Sequence, residues 1–356
     1  MKKEEMHYIN SIDSEIVQKI NNLFQGKKNV ALFTHPTPDP DAIASMLIMQ
    51  WILKRKFDIQ SKIYYAGSVS HPQNRAMNNL LEPEMLSSSQ FDEDKFDATV
   101  LVDTIPEFSS NKNIKYDLVI DHHVQSPSKD FEGIFVKSKL GSCTAIICKI
   151  LKALELEFKE DNEEDARIAT AATVGIYTDT GNLLSVDCTI DDLESYREVF
   201  GVSNKSLLYK IVNFEMPRPW IEMMSKASLK SEIKNGVAVV GMGIISSKNR
   251  DIISLMASQM SLWEGVNTAI AFAIVNKNEI QGSIRSASSG VSVDEKCREL
   301  AGKTYGNGGG KFGKGGYKIE LAAGAIQDDE PEDIRQKTWE LFEVKEKARI
   351  FRIFDN

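Results

Sequence analysis

The 356-residue sequence predicts an α/β protein, a doubly wound parallel sheet followed by a smaller α/β domain. Three observations carry this expectation. Short apolar runs alternate with amphipathic segments through the first half, the pattern of strands joined by crossover helices. Those runs are nearly continuous in Val, Leu and Ile, as suits strands buried on both faces. Past a charged and aromatic stretch at 191–220, the composition shifts to longer strand-like runs and a glycine-rich segment.

In chain order, NVALFTH (29–35) reads as a strand and DAIASMLIMQWILKRK (41–56) as a helix with apolar residues at helical spacing. QSKIYYAG (60–67), ATVLVDT (98–104) and YDLVIDHH (116–123) are three further strands. GSCTAIICKILKALEL (141–156) is a helix, and ARIATAATVGIYTDTG (166–181) is an Ala-rich helix running into a polar loop. Residues 191–220 read as a helical connector ended by Pro217 and Pro219. NGVAVVGMGIIS (235–246) is then a strand and RDIISLMASQMSLW (250–263) a helix, followed by a hairpin over 268–288 that turns at Asn276–Lys277–Asn278. A helix near 292–303 leads into KTYGNGGGKFGKGG (303–316), YKIELAAGAI (317–326) closes the sheet, and the acidic 328–333 stretch precedes a terminal helix.

Composition is 42% apolar and 26% charged, without an apolar run near the roughly 18 residues a membrane span needs. The N-terminus, MKKEEMHYINSIDSEI, lacks an apolar core segment and reads as a short helical lead-in, not a secretion signal. Cys143, Cys148, Cys188 and Cys297 lack zinc spacing, and two lie in the apolar CTAIICKIL, so reduced, packed thiols in a cytoplasmic protein are expected. A net charge of −8 argues against coating long nucleic acid, but leaves room for a small anion held by metal ions or a local basic patch.

The informative residues fall at strand ends. His35, Asp39 and Asp41 follow the first strand, Asp103 ends VLVD, and Asp121, His122 and His123 end LVID. Asp179 follows GIYT. Ligands of open parallel sheets bind outside the carboxyl ends of the strands. Four elements are therefore expected to deliver carboxylates and imidazoles to one rim. Taken singly, Asp41 reads equally as a helix cap and His35 as an ordinary histidine. Gathered together, the carboxylates would repel and raise one another's pKa unless cations sat among them. Mixed Asp and His donors suit Mn²⁺, Mg²⁺, Fe²⁺ or Zn²⁺, and six such ligands suffice for two ions about 3.5–4 Å apart sharing one carboxylate.

These residues make the chain resemble the DHH phosphoesterase family. His35-Pro36-Thr37-Pro38-Asp39-Pro40-Asp41-Ala42 is similar to its first motif, Val102-Asp103-Thr104 to its second, Asp121-His122-His123 to the name-giving third, and Thr178-Asp179-Thr180-Gly181 to its fourth. The resemblance implies two divalent ions, most often Mn²⁺, with Mg²⁺ or Fe²⁺ as substitutes. His35, Asp39 and Asp103 would hold one; Asp41, Asp103, His122 and Asp179 would hold the other. His123 would touch the substrate phosphate and is the nearest candidate for a general acid, with Asp121 orienting the imidazoles.

The second half resembles the family's associated substrate domain. Ser283-Ile284-Arg285-Ser286 is similar to its arginine-bearing strand, and Gly308-Gly309-Gly310-Lys311 stands where the family carries three glycines and a histidine. Lys303, Lys311, Lys314 and Arg285 concentrate positive charge there, which favours a phosphate-binding glycine-rich loop over a plain surface loop. The resemblance thus divides the chain into a metal-bearing domain (1–190), a helical connector (191–225) and a substrate domain (226–356), with a cleft between the domains.

The implied function is hydrolysis of phosphodiester or phosphomonoester bonds by two-metal activation of water. Its substrates would be short nucleotides: nanoRNA (oligoribonuclease or exonuclease activity), linear dinucleotides or phosphoadenosine phosphate. Polyphosphate or pyrophosphate hydrolysis is the alternative, set back by the absence of a Ser-Arg-Lys-Lys-like motif. A catalytically silent nucleotide- or phosphate-sensing protein is the other. No membrane or long nucleic-acid partner is expected, and a homodimer is left open.

Overall fold

The computed structural model describes residues 14–67, 69–288, 290–302, 304, 306–311, 313–321, 326 and 330–355, and the chain divides into two compact units, Met1–Glu215 and Met216–Asn356. The first unit runs α1 (Ser14–Phe24), β1 (Asn29–Phe33), α2 (Pro40–Phe57), β2 (Gln60–Tyr65), α3 (Pro72–Leu81), β3 (Met85–Ser87), β4 (Ala98–Val102), β5 (Leu118–Asp121), β6 (Ile134–Lys137), α4 (Cys143–Ala153), α5 (Glu163–Asp179), α6 (Ile190–Val202) and α7 (Lys205–Val212). Its six strands are all parallel, in the order β3-β2-β1-β4-β5-β6. The order reverses between β1 and β4, and a crevice opens at that reversal beyond the carboxyl ends of the strands.

The two faces of this sheet are covered differently. On one, Val30, Leu32, Ile63, Val100, Val102, Leu118, Ile120 and Val136 pack against α1 to α7. On the other, Ala31, Phe33, Tyr64, Leu101 and Val119 meet Ile114, Tyr116 and a set of loop aromatics that includes Phe91, Phe96 and Phe131. Right-handed crossovers account for this. They put α2 and α3 on one face and the return from β4 to β5 on the other, where the chain supplies the loop 103–117, with a 3-10 turn at Pro106–Phe108 and Ile114 and Tyr116 beyond it, in place of an α-helix.

α2 lies at the centre of the unit. Asp39 caps it by accepting a hydrogen bond from the Ala42 N–H at 3.0 Å, and Pro40 opens its first turn, where a missing N–H costs nothing. Its residues from Pro40 to Met49 are buried all round, the mark of an interior helix. One turn past them, the Trp51 indole N–H donates to Asp165 Oδ1 at 2.9 Å, and Arg55 pairs with the same carboxylate.

The second unit runs α8 (Arg218–Ser228), β7 (Glu232–Lys234), β8 (Val237–Ile245), α9 (Ile252–Met260), β9 (Thr268–Val275), β10 (Glu279–Ser286), α10 (Val293–Ala301), β11 (Gly306–Lys311), β12 (Lys314–Glu320) and α11 (Glu332–Phe354). The sheet order is β11-β12-β10-β9-β8-β7, antiparallel except for β8 beside β9, which α9 connects. Ala269, Ala271 and Ala273 turn toward α8 and α9, while Ile270, Phe272 and Ile274 turn toward α10 and α11. The period-two alternation thus builds a helix–sheet–helix sandwich. The hairpin at Asn276–Lys277–Asn278 forms as read, with Val275 opposite Glu279.

Two readings are corrected here. The connector's prolines begin a helix as well as ending one: Pro217 is the N-cap of α8 and Pro219 lies in its first turn, where proline is tolerated. The glycine-rich segment is a strand, not a loop. Gly306–Lys311 pairs with Lys314–Glu320, Gly309 opposite Gly316 and Gly310 opposite Gly315. The reason is packing against α10. A Cβ on Gly308 would stand 2.3 Å from the Cys297 carbonyl oxygen, and one on Gly306 would stand 2.0 Å from that of Ala301. The glycines let a strand lie directly on helix backbone. Gly308→Ala should therefore destabilise the protein by about 1–3 kcal/mol, read as a lower urea midpoint. An unchanged midpoint would argue against this close approach.

The lead-in up to Ile12 and Asp13, Lys303, residues 322–325 of the closing strand and 327–329 of the acidic stretch lie outside the described residues. Among the described residues no helix is long and apolar enough to cross a membrane. All four cysteines are free thiols, three of them buried.

Candidate metal centre

The loop after β1 is fixed from several directions. Thr37 adopts a left-handed backbone (φ 59°), and its N–H donates to the Ala66 carbonyl at 3.0 Å. Asn74 of α3 donates its amide to the Pro38 carbonyl at 3.1 Å. His35 Nδ1 lies 2.9 Å from the Pro36 carbonyl, which assigns its proton to that nitrogen and leaves the Nε2 lone pair able to hold a metal. Nε2 faces Asp103 Oδ2 at 3.5 Å.

Asp103 follows β4 and takes the left-handed conformation (φ 59°), a strained state for a non-glycine residue. Its N–H donates to the Ile120 carbonyl at 2.9 Å. The carboxylate is buried between two histidines, Oδ2 toward His35 and Oδ1 3.6 Å from His122 Nε2. His122 Nε2 is also 3.1 Å from Asp179 Oδ2, at the end of α5. Its Nδ1 rests on the Leu140 carbonyl at 3.1 Å. Asp41 is buried, and its two oxygens accept the backbone N–H groups of Cys143 and Thr144, each at 2.8 Å, from the first turn of α4. A helix N-terminus favours an anion there.

The sequence-derived ligands therefore converge as three groups whose donor atoms lie within 4.8 Å of one another: His35, Asp39 and Asp103; Asp41, His122 and Asp179; Asp103, His122 and His123. Asp103 belongs to two of them. The spacings of 3.5 and 3.6 Å are too long for hydrogen bonds. Two ligands each about 2.1 Å from one ion stand roughly 3.0–3.4 Å apart, close to these values. Among the described residues, Asp103 Oδ1 is buried without a hydrogen-bond partner, a costly arrangement for a carboxylate oxygen unless a cation supplies the missing contact. The residues present fit a pair of divalent ions.

The electrostatics agree. Burial, then the charges of Asp103 and Asp179, push the Asp41 carboxyl well above its ordinary value. Burial and Asp103 likewise raise Asp39. Burial alone would lower the His35 imidazole, but the carboxylates of Asp103 and Asp39 outweigh it and carry it to about 9. Each shift is that of an anionic cluster gathering protons in place of metal.

Residues 29–176 match the model of the DHH family, N-terminal domain. Residues 29–176 form a DHH-family N-terminal domain. An uncharacterized protein of Methanocaldococcus jannaschii is 28% identical over 335 residues, 91% of this chain, and the alignment spans 66% of that relative's length. A probable manganese-dependent inorganic pyrophosphatase of Staphylococcus epidermidis is 26% identical over 257 residues, 70% of this chain and 74% of that protein. Among solved structures, an exopolyphosphatase-related protein from Bacteroides fragilis shares the fold with a TM-score of 0.66 at 15% identity, over 96% of this chain and 99% of that one.

Within the DHH domain, Asp121 and His123 form their own pair, Nδ1 to Oδ1 at 2.7 Å. Burial works to raise the Asp121 carboxyl, but the His123 hydrogen bond and the charges of His123 and His122 hold it below its usual range. This contact assigns the His123 proton to Nδ1 and leaves Nε2 for a ligand. Asp121→Ala should lower kcat about 10–100-fold while Mn²⁺ binding is kept. Unchanged kcat, measured with Mn²⁺ bound, would remove His123 from the reaction.

Several supporting groups escaped the sequence reading. Lys137, buried at the end of β6, donates to the Val124 and Gln125 carbonyls and to Ser126 Oγ, fastening the segment after His123. A lysine closing an apolar strand was its one visible sign. Leu140, Asn74 and the α4 amides act through backbone atoms or across long sequence separations, and no local pattern marks them.

The remaining predicted residues lie in the second unit. Arg285 of β10 donates to Ser258 Oγ at 3.1 Å, Ser283 Oγ at 3.0 Å and the Ile284 carbonyl at 2.9 Å, and has no carboxylate partner among the described residues. Burial holds its pKa below the ordinary guanidinium value. Ser286 Oγ shares a hydrogen bond with Thr268 Oγ1 at 2.8 Å. Gly308, Gly309 and Gly310 lie in β11, the Gly310 N–H donating to Asp294 Oδ1 at 3.0 Å. The Lys311 side chain lies outside the described residues.

Proposed function

We propose that the protein is a metal-dependent phosphohydrolase of small phosphate compounds, with a phosphate anhydride such as inorganic pyrophosphate or a short polyphosphate as its preferred substrate. The observation that carries this reading is the convergence of His35, Asp39, Asp41, Asp103, His122 and Asp179 into adjoining metal-competent groups at the switch point of the sheet. Similarity to a probable manganese-dependent inorganic pyrophosphatase supports both Mn²⁺ and an anhydride.

Two divalent ions there would activate water and neutralise phosphate charge. The chain's own part is positional. Asp103 would be shared between the ions, on a backbone held in one strained conformation. The α4 amides and the Leu140 carbonyl fix Asp41 and His122 before any ion arrives. His123, aligned by Asp121 through Nδ1, would act with a second proton on Nε2, donating that N–H to a phosphate oxygen and passing the proton to the leaving oxygen.

A second reading, hydrolysis of short nucleotide esters such as nanoRNA, linear dinucleotides or phosphoadenosine phosphate, is favoured by Arg285. Its guanidinium lacks a carboxylate partner among the described residues and lies in the Ser283-Ile284-Arg285-Ser286 strand, suited to a phosphate. One panel separates the readings: pyrophosphate, tripolyphosphate, a 5′-phosphorylated RNA dinucleotide and phosphoadenosine phosphate, each with Mn²⁺. Fastest turnover of pyrophosphate or tripolyphosphate is expected. A dinucleotide or phosphoadenosine phosphate turned over fastest would establish the ester reading, and bound Mn²⁺ with no turnover would indicate a phosphate sensor.

A further inference from the structure

The two proposed ion sites are supported by different parts of the chain. Around Asp41, His122 and Asp179, one short segment bonds the first two and lies against Thr180, the neighbour of the third. The Leu140 carbonyl holds His122 Nδ1, and the Cys143 and Thr144 amides hold both oxygens of Asp41. A Cβ on Gly141 would lie 2.9 Å from the methyl of Thr180, the residue after Asp179. What holds the segment itself comes from far along the chain. Asp192, fully buried at the start of α6, accepts the Gly141 N–H at 2.9 Å with Oδ2. The same oxygen accepts the Thr189 N–H at 2.8 Å and hydroxyl at 2.7 Å, closing the capping box of α6 and ending the loop that leaves Asp179. One carboxylate oxygen thus joins segment 140–144, the loop after Asp179 and the α6 N-terminus. The loop carrying His35 and Asp39 is held by other contacts, the Thr37 N–H on the Ala66 carbonyl and the Asn74 amide on the Pro38 carbonyl, and none of these involves Asp192.

We propose that Asp192 is a positioning residue for one of the two ions, setting the geometry of Asp41, His122 and Asp179 through Gly141 and Thr189 while leaving the His35–Asp39–Asp103 site unaffected. The proposal rests on the two-metal reading above. Asp192 touches neither metal ligands nor substrate in this arrangement. Its effect is conveyed by backbone hydrogen bonds that aim ligands, the kind of support whose loss costs metal affinity about 10–100-fold.

The test is titration of the metal-stripped full-length protein with Mn²⁺ by calorimetry. His35→Ala and Asp179→Ala serve as references that assign each binding phase. Asp192→Ala should weaken only the phase lost in Asp179→Ala, by about 10–100-fold, leaving the other within about twofold. Asp192→Asn keeps an oxygen for the same three donors and should restore it. Gly141→Ala forces a methyl to 2.9 Å from Thr180 and 3.3 Å from Asp192 Oδ2, and should give the same one-sided loss even where Asp192→Ala does not fold. Equal weakening of both phases, or of neither, overturns the positioning role while the two-metal reading stands. A wild-type protein that binds no Mn²⁺ overturns both.

Discussion

Replacing Asp103 by alanine should lower Mn²⁺-dependent turnover by more than about a hundredfold, beyond what losing a supporting contact around a metal costs. It should also take Mn²⁺ binding from two ions per chain to one or none. The side chain stands between His35 and His122, at 3.5 and 3.6 Å, so its removal takes a ligand from both sides of the centre at once. Alanine is also a poor occupant of φ 59°, so the loop after β4 should relax toward an ordinary conformation and draw the strand end away from the ligands. Asp103→Gly separates the two effects, since glycine accepts that backbone without cost. It should recover stability but not metal stoichiometry or turnover. A variant at Asp103 that binds two ions and keeps its rate would end the shared-ligand assignment.

The metal-stripped protein should lose stability as pH rises from about 5 to 9. Asp39 and Asp41 have folded pKa values above their unfolded ones, so they favour the fold when protonated and disfavour it once pH passes the folded value. His35 follows the same sign: its folded pKa of about 9 exceeds the model-compound value of about 6.5, so its stabilisation is complete below that value and lost through 9. Asp121 has the opposite sign, but its contribution is present above the unfolded carboxylate range and changes only in acid. Saturating Mn²⁺ should reverse the trend, because these ligands bind metal in their deprotonated forms. Mn²⁺ at a hundred times its Kd adds about 2.7 kcal/mol per site. Thermal melts at pH 5.5, 7 and 8.5, with chelator and with Mn²⁺, check both limbs. A chelated protein whose Tm climbs with pH over this range would contradict the cluster's protonation.

How much of this was legible follows from where each signal lay. The apolar runs at 29–33, 98–102 and 118–121 marked buried parallel strands because burial on both faces leaves a continuous hydrophobic signature. The metal-competent residues stood out because they sit at the ends of those same runs. β3 and β6 escaped notice because neither is buried along its whole length, so neither leaves a continuous apolar run. The helix-free face of the first sheet was equally hidden, since Phe33, Tyr64 and Tyr116 read as ordinary apolar positions until topology assigns them a side. The glycine run misled for a definite reason: glycine marks both flexible turns and close backbone contact, and only α10 beneath β11 decides between them. Asp192 fell within a stretch read only as a helical connector, and its bond to Gly141 spans 51 residues and has no sequence signature.

Trp51 gives the protein a built-in optical reporter. Of the four tryptophans, Trp220, Trp263 and Trp339 belong to the second unit, and Trp51 alone to the first. It rides on α2, the helix capped by Asp39 and carrying Asp41 in its first turn, and is 4% exposed with its N–H on Asp165. With the other three changed to phenylalanine, the emission of this one indole follows the first unit alone. Melting of the first unit can then be followed by itself, without an attached dye.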